Sequence, residues 1–239
     1  MPVSSGGFTA FRINHSDVRL RDDLMASAPA IVARVNALWR EKSGAGNRAG
    51  GFRLAIDGAP DLFVRLARRG GAMRFITSDL HLGLYARAMR ELGLTAEALR
   101  RGIPVVEPIG AIVNWLAPLV YRAAFISRAM RGMTLWEFLC ADDDPTVRMH
   151  VLELARAAIE TMHEKGLFHA DLNLHNLFVT HARESFSIVI LDLDKARMFP
   201  KPLGLRLRRA NLARLARSAR KLDPEGRRLD AAARRILCE

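Results

Sequence analysis

The chain is poor in the residues that build crosslinked, metal-caged or membrane-spanning proteins. It has two cysteines in 239 residues, Cys140 and Cys238. Two give neither a disulfide framework nor a metal-ligand spacing, and such sparing use implies a reducing compartment. No run of 18 apolar residues occurs, and the apolar stretch from Ala111 to Val120 is far too short to span a bilayer. The first residues lack a charged segment followed by an apolar one, so no secretory signal is expected. Two tyrosines and three tryptophans are few for the stacking surfaces of RNA-binding modules. Internal repeats and long low-complexity stretches are absent too.

Acidic residues are also scarce, with 25 Asp and Glu against 37 Lys and Arg, a formal net charge of +12. The excess is uneven: from Lys195 to Glu239, 14 Lys/Arg stand against 4 Asp/Glu, a net +10. There, Leu205, Leu212, Leu215, Ala219 and Leu222 line one side of a predicted helix. Arg206, Arg208, Arg209, Arg214, Arg217, Arg220 and Lys221 surround the rest. A basic amphipathic helix fits a membrane surface or a nucleic acid, or else packs by its leucines and leaves a solvated basic face. No helix-turn-helix, zinc finger or aromatic RNA-binding motif accompanies the charge, so no nucleic acid is expected as partner.

What the chain does contain is His169-Ala-Asp-Leu-Asn-Leu-His-Asn176, with Asp192 sixteen residues after Asn176 at the end of the apolar run from Ile188. The pattern H-x-D-L-x-x-x-N followed by a strand ending in Asp is that of a phosphotransfer site. Asp171, with His169 beside it, is the candidate catalytic residue that accepts or orients the proton of an attacking hydroxyl. Asn176 and Asp192 are the candidate ligands of Mg²⁺, an ion satisfied by a few oxygens, water and nucleotide phosphates. The intervening residues read as two short strands, Leu177–Thr180 and Ser187–Leu191, around a polar turn that brings Asn176 and Asp192 together. Taken singly, His169, Asp171 and Asn176 would pass as turn and cap residues. Upstream, however, Val151, Leu152, Leu154, Ala155, Ala158, Ile159 and Met162 recur at helical spacing and Gly166 stops the helix. Helix, glycine, loop and Asp-ended strand follow one another in the order of a kinase C-lobe.

The wording of His163-x-x-Gly166-x-x-His169-Ala-Asp-Leu-Asn-x-His-Asn176 resembles the 3-deoxy-D-manno-octulosonic acid (Kdo) kinases, in the lipopolysaccharide kinase family that also includes the heptose kinases of the core. Phe63–Gly71, Arg90-Glu91 with Arg101–Val105, Tyr121–Ile126 and Ala210–Leu215 resemble further blocks of that family in order, over about residues 44 to 222. The resemblance implies an ATP-dependent sugar kinase that phosphorylates a Kdo hydroxyl, O-4, of a Kdo-containing lipid A precursor. It also implies a peripheral location at the anionic cytoplasmic face of the inner membrane of a Gram-negative bacterium. No protein partner is inferred. A core heptose kinase, an inactive kinase-fold scaffold and a basic nucleic-acid-binding protein are the alternatives.

The expected fold is α+β and protein-kinase-like, with an antiparallel-sheet N-lobe over residues 1–128 and a short, mainly helical C-lobe over 129–239, hinged around the nucleotide. Half of the residues are hydrophobic, enough to bury a core in each. On the strand Leu62–Arg65, arginine stands where kinases carry a phosphate-binding lysine, an exchange of a compact ammonium for a planar fork. Arg65 is the candidate phosphate ligand, and Glu91 on a helix from Leu84 to Leu99 its candidate ion-pair partner. Gly44 and Gly46, within Ser43–Phe52, are candidates for a loop covering the nucleotide, since glycine lets a backbone approach phosphates closely. Ser127 and Arg128 follow the strand Tyr121–Ile126 where the adenine is expected. Asp194 is either a second carboxylate near the metal or a turn residue.

Overall fold

The computed structural model describes residues 7–42, 51–67, 81–82, 87–182 and 185–238. The chain forms two compact units, one of residues 1–93 and 107–129, the other of 94–106 and 130–239.

The first unit is built on an antiparallel sheet. Its strands are β1 (Phe8–Ile13), β2 (Ser16–Arg21), β3 (Gly51–Leu54), β4 (Leu62–Leu66), β5 (His81–Leu82), β6 (Pro108–Ala117) and β7 (Val120–Arg128). They lie in the order β1-β2-β6-β7-β4-β3, with β5 on the end of β7. Helix α1 (Ala28–Lys42) places Ile31, Val32, Val35, Leu38 and Trp39 on one side, at i, i+1, i+4, i+7 and i+8. That stripe packs in one core with Val18, Leu20, Leu62, Val64, Ile112 and Ile126 from alternating strand positions. Helix α2 (Arg87–Arg100) supplies its first half, with Glu91, to this unit.

In the second unit, β8 (Gly132–Thr134) runs into α3 (Leu135–Ala141) through a capping box between Thr134 and Glu137. Helix α4 (Pro145–Glu164) starts at Asp144, whose carboxylate accepts from the N–H of Thr146 and Val147, with Pro145 in the first turn. It buries Val151, Leu152, Ala155, Ala158, Ile159 and Met162. Gly166 ends it at φ +82, where an added Cβ would lie 2.5 Å from the carbonyl oxygen of Phe199. Only glycine fits that left-handed, crowded turn. Then come β9 (Leu167–Phe168), the irregular loop 169–176, and the hairpin β10 (Leu177–Ala182) and β11 (Ser185–Ile190). Strand β12 (Arg197–Met198) pairs with β9, and α5 (Leu205–Leu222) and α6 (Ala231–Cys238) close the unit.

Residues 94–106, which the sequence assigns to the first lobe, belong to this second unit. Ala98, Ile103 and Val105 are buried in its core, and Val105 forms a parallel bridge with Ile190.

Candidate active site

The loop from His169 to Asn176 is laced by its own polar groups. The Asn173 carboxamide accepts from the N–H of His175 and Asn176 at 2.9 and 3.2 Å and donates to the Asp171 carbonyl at 2.9 Å. Asn176 Nδ2 donates to the same carbonyl at 2.8 Å. This bond orients the Asn176 carboxamide, so its oxygen is directed away from the Asp171 carbonyl. Leu172 and Leu174 point into the core while the Asp171 side chain is half exposed. The alternation of buried leucine and exposed polar residue is what presents Asp171, Asn173 and His175 outward.

The hairpin pairs Leu177 with Ile190 in antiparallel register, and just beyond it the N–H of Leu191 donates to the Asn176 carbonyl at 2.8 Å. Both strands run longer than the sequence predicts, and the same hairpin brings the two candidate metal-ligand positions, Asn176 and Asp192, to one end. Asp192 adopts φ +56, the left-handed region. Few non-glycine residues tolerate it, Asp being among those that do, and such strain concentrates at functional positions. Asp194 opens a turn at the end of this segment.

His169 differs from its expected place in the chemistry. It is buried, and its Nδ1 accepts from the N–H of Asp171 at 3.1 Å. The proton therefore resides on Nε2, which donates to the Leu191 carbonyl at 2.9 Å. Burial pushes its pKa down and holds the ring neutral. With both nitrogens occupied by backbone, His169 is a positioning residue that ties Asp171 to the strand end carrying Asp192.

Asn211, fully buried on α5, was not singled out by the sequence for any role. Its Nδ2 donates to the His169 carbonyl at 2.7 Å and its Oδ1 accepts from the His169 N–H at 3.3 Å, which fixes the amide orientation. The same Oδ1 lies 3.2 Å from His163 Nε2, which must then be the donor. Burial lowers the His163 pKa to about 4, so that ring is neutral too. The sequence did hold a signal: Asn211 stands at i−4 and i−8 from Leu215 and Ala219 on the apolar stripe, where a polar residue needs a buried partner.

One turn further along α5, Arg214 Nη1 donates to Asp171 Oδ1 at 3.3 Å. The sequence groups Arg214 with a basic surround open to a membrane, a nucleic acid or solvent; its guanidinium pairs with the candidate catalytic carboxylate. The leucine side of α5 is covered as well, with Leu215 and Ala219 in the core and Leu212 and Leu222 packed against it. Leu205, the first residue the sequence places on that side, remains exposed.

In the first unit, Arg65 on β4 reaches Glu91 on α2, its Nη2 bonded to both carboxylate oxygens. Glu91 is buried and Arg65 part-exposed, with its guanidinium carbon 5.9 Å from the Phe125 ring centroid. A buried carboxylate is stable there only while the cation stays.

Ser127 and Arg128 depart from the sequence expectation. Strand β7 continues through both, the Ser127 side chain is buried, and Arg128 pairs with Glu107 at 3.0 Å. The strand expected to end at Ile126 thus runs two residues further. Gly44 and Gly46 lie outside the described residues.

Among the described residues no cluster of three or more His, Cys, Asp or Glu could hold a metal ion. One carboxylate and one carboxamide oxygen fit a magnesium ion that keeps water and phosphate ligands, and they do not fit a zinc cage.

A model of the lipopolysaccharide kinase (Kdo/WaaP) family matches residues 37–233. Among curated proteins, the 3-deoxy-D-manno-octulosonic acid kinase of Xylella fastidiosa (strain 9a5c) is 30% identical over 171 residues, 70% of this chain and 65% of the relative. The protein of the same description from Xanthomonas campestris pv. campestris (strain B100) is 31% identical over 162 residues, 66% of this chain and 61% of the relative. The chain thus spans a little under two thirds of the length of these relatives. A solved structure described as WaaP in complex with acyl carrier protein aligns with a TM-score of 0.53 at 16% identity, covering 81% of this chain and 76% of that one. The fold is therefore α+β and kinase-like.

Proposed function

The chain belongs to the lipopolysaccharide kinase (Kdo/WaaP) family, and on that premise we propose that it transfers the γ-phosphoryl group of ATP to a Kdo hydroxyl, O-4, of a Kdo-bearing lipid A precursor. The observation that carries this reading is the loop 169–176, whose Asp171 is presented to solvent while His169 and Asn211 lock the backbone before it and Asn173 and Asn176 hold its carbonyl. The Asp171 carboxylate accepts the proton of the acceptor hydroxyl as the new O–P bond forms. The bond between the γ-phosphorus and the bridging oxygen of ADP breaks, and ADP leaves with that electron pair. Asn176 and Asp192 would hold Mg²⁺, which supplies charge neutralisation on the phosphates. Arg65, kept in place by Glu91, grips nucleotide phosphates in the role that lysine has in other kinases.

The relatives are described as Kdo kinases, which supports the acceptor. We place the enzyme peripherally at the cytoplasmic face of the inner membrane, where such a lipid acceptor is made. The exposed basic side of α5 supports contact with anionic lipid.

Mass spectrometry of products tests the proposal directly. With ATP and Mg²⁺, the Kdo-bearing lipid A precursor should gain one phosphoryl group of about 80 mass units. A gain only on a heptose-bearing core acceptor would move the enzyme to the heptose kinases. A gain on neither would reject the sugar-kinase reading.

A further inference from the structure

Arg214 and Asp171 form a pair that can be opened. Their contact is 3.3 Å long and both side chains are about half exposed, 46% and 52%. An ion pair of this kind contributes little to stability, so it is not a strut of the fold. Its placement, by contrast, is rigid. Asn211, three residues earlier on the same helix, is fully buried and bonded to both backbone groups of His169. Helix α5 is thereby fastened to the loop that carries Asp171, and the guanidinium is delivered beside the carboxylate from a separate element. The loop itself, residues 169–176, contains no lysine or arginine.

We infer that Arg214 reads an anionic group of the acceptor that neighbours the reacting hydroxyl. Resting on the acceptor proposed above, that group is the sugar carboxylate. An acid sugar offers the pair what it lacks: the hydroxyl donates to Asp171, and the carboxylate takes the guanidinium in a charge-assisted hydrogen bond. The acceptor replaces the internal pair with two better contacts and frees the Asp171 carboxylate for the proton. A neutral heptose satisfies the first contact only. Arg214 is then the residue that separates acid from neutral sugars.

The test is a matrix of acceptor kinetics. The unaltered enzyme, Arg214→Gln and Arg214→Lys are assayed on the Kdo-bearing lipid A precursor with its carboxylates free or converted to methyl esters. Arg214→Gln should raise the acceptor KM roughly tenfold or more, the scale of a lost hydrogen bond to a charged group. It should leave the KM for ATP and the thermal unfolding midpoint unchanged. Esterification should cost the unaltered enzyme a similar factor and cost Arg214→Gln little further, while Arg214→Lys should recover part of the discrimination. Equal losses on free and esterified acceptor, or an effect confined to kcat or to ATP, would overturn the inference and give Arg214 to the phosphoryl group. An unchanged acceptor KM would overturn it as well. No transfer by the unaltered enzyme to either form would refute the acceptor class, and this reading with it. Turnover without discrimination refutes Arg214 alone.

Discussion

At Asn211 a single carboxamide serves two backbone groups of His169 and the ring of His163, all within a fully buried site. Removing it leaves two donors and a carbonyl without their partner in a place water does not reach. Asn211→Ala should therefore destabilise the protein by about 2–3 kcal/mol, read from the denaturant midpoint at constant slope. It should also lower kcat, since the Asp171 backbone hangs from His169. A loss below about 0.5 kcal/mol, within the range of ordinary surface changes, would contradict the network. The same histidines set a pH dependence. His163 titrates near 4 in the folded protein against an ordinary value of 6.5, and His169 is shifted in the same direction. Below 6.5 the unfolded chain binds protons that the folded chain refuses. Stability should be full above about pH 6.5 and fall as the pH drops towards 4. A melting temperature unchanged between pH 7 and pH 5 would mean that the histidines are not held neutral. Residue placements were legible in the sequence where the motif is local, at Asp171 in its loop and at Asn176 and Asp192 on one end of the hairpin. They were hidden where a side chain turns back on its own backbone, as at His169, or meets a residue some forty positions away, as at Asn211 and Arg214.

Helix α5 shows what periodicity conveys and what it leaves out. Its leucine side and basic surround were readable from spacing, but the same pattern serves a helix packed on its own domain and one laid on a lipid surface. Leu215 and Ala219 in the core decide for packing. Any membrane contact then rests on charge alone, through residues such as Arg217 and Arg220 that are exposed and distinct from the Asp171 pair. Changing both to Gln should weaken binding to anionic liposomes, each cation contributing about 1 kcal/mol near such a surface. Raising the salt should do the same, because charge is screened over about 10 Å at 0.1 M. Liposome binding that is insensitive to both would remove α5 from the membrane. Elsewhere at this scale, α4 was readable from Val151 to Met162 and from its glycine stop, and the hairpin β10–β11 from its two apolar runs. Helix α1 and the β1–β2 hairpin drew no assignment from the motifs, although Ile31, Val35 and Leu38 lie in the first core.

On the scale of the whole molecule, the family motifs gave the α+β kinase-like fold, and the antiparallel sheet with a mainly helical second unit has that architecture. The chain divides after Ala129, and the segment 94–106 belongs with the residues that follow, a long-range packing choice that no local pattern announces. What the sequence states most strongly is also what the proposed function depends on: one loop that presents the Asp171 carboxylate to solvent and one hairpin that brings Asn176 and Asp192 to one end. The most direct measurement is single-turnover transfer from Mg·ATP to the Kdo-bearing acceptor by the unaltered enzyme and by Asp171→Asn, with Mg·ATP affinity measured on both by calorimetry. Loss of the carboxylate should slow transfer by a factor on the order of 10² to 10⁴, with the nucleotide affinity and the melting temperature retained. Transfer by Asp171→Asn at a rate near that of the unaltered enzyme would contradict the assignment of Asp171 and, with it, the phosphotransfer site built around the loop.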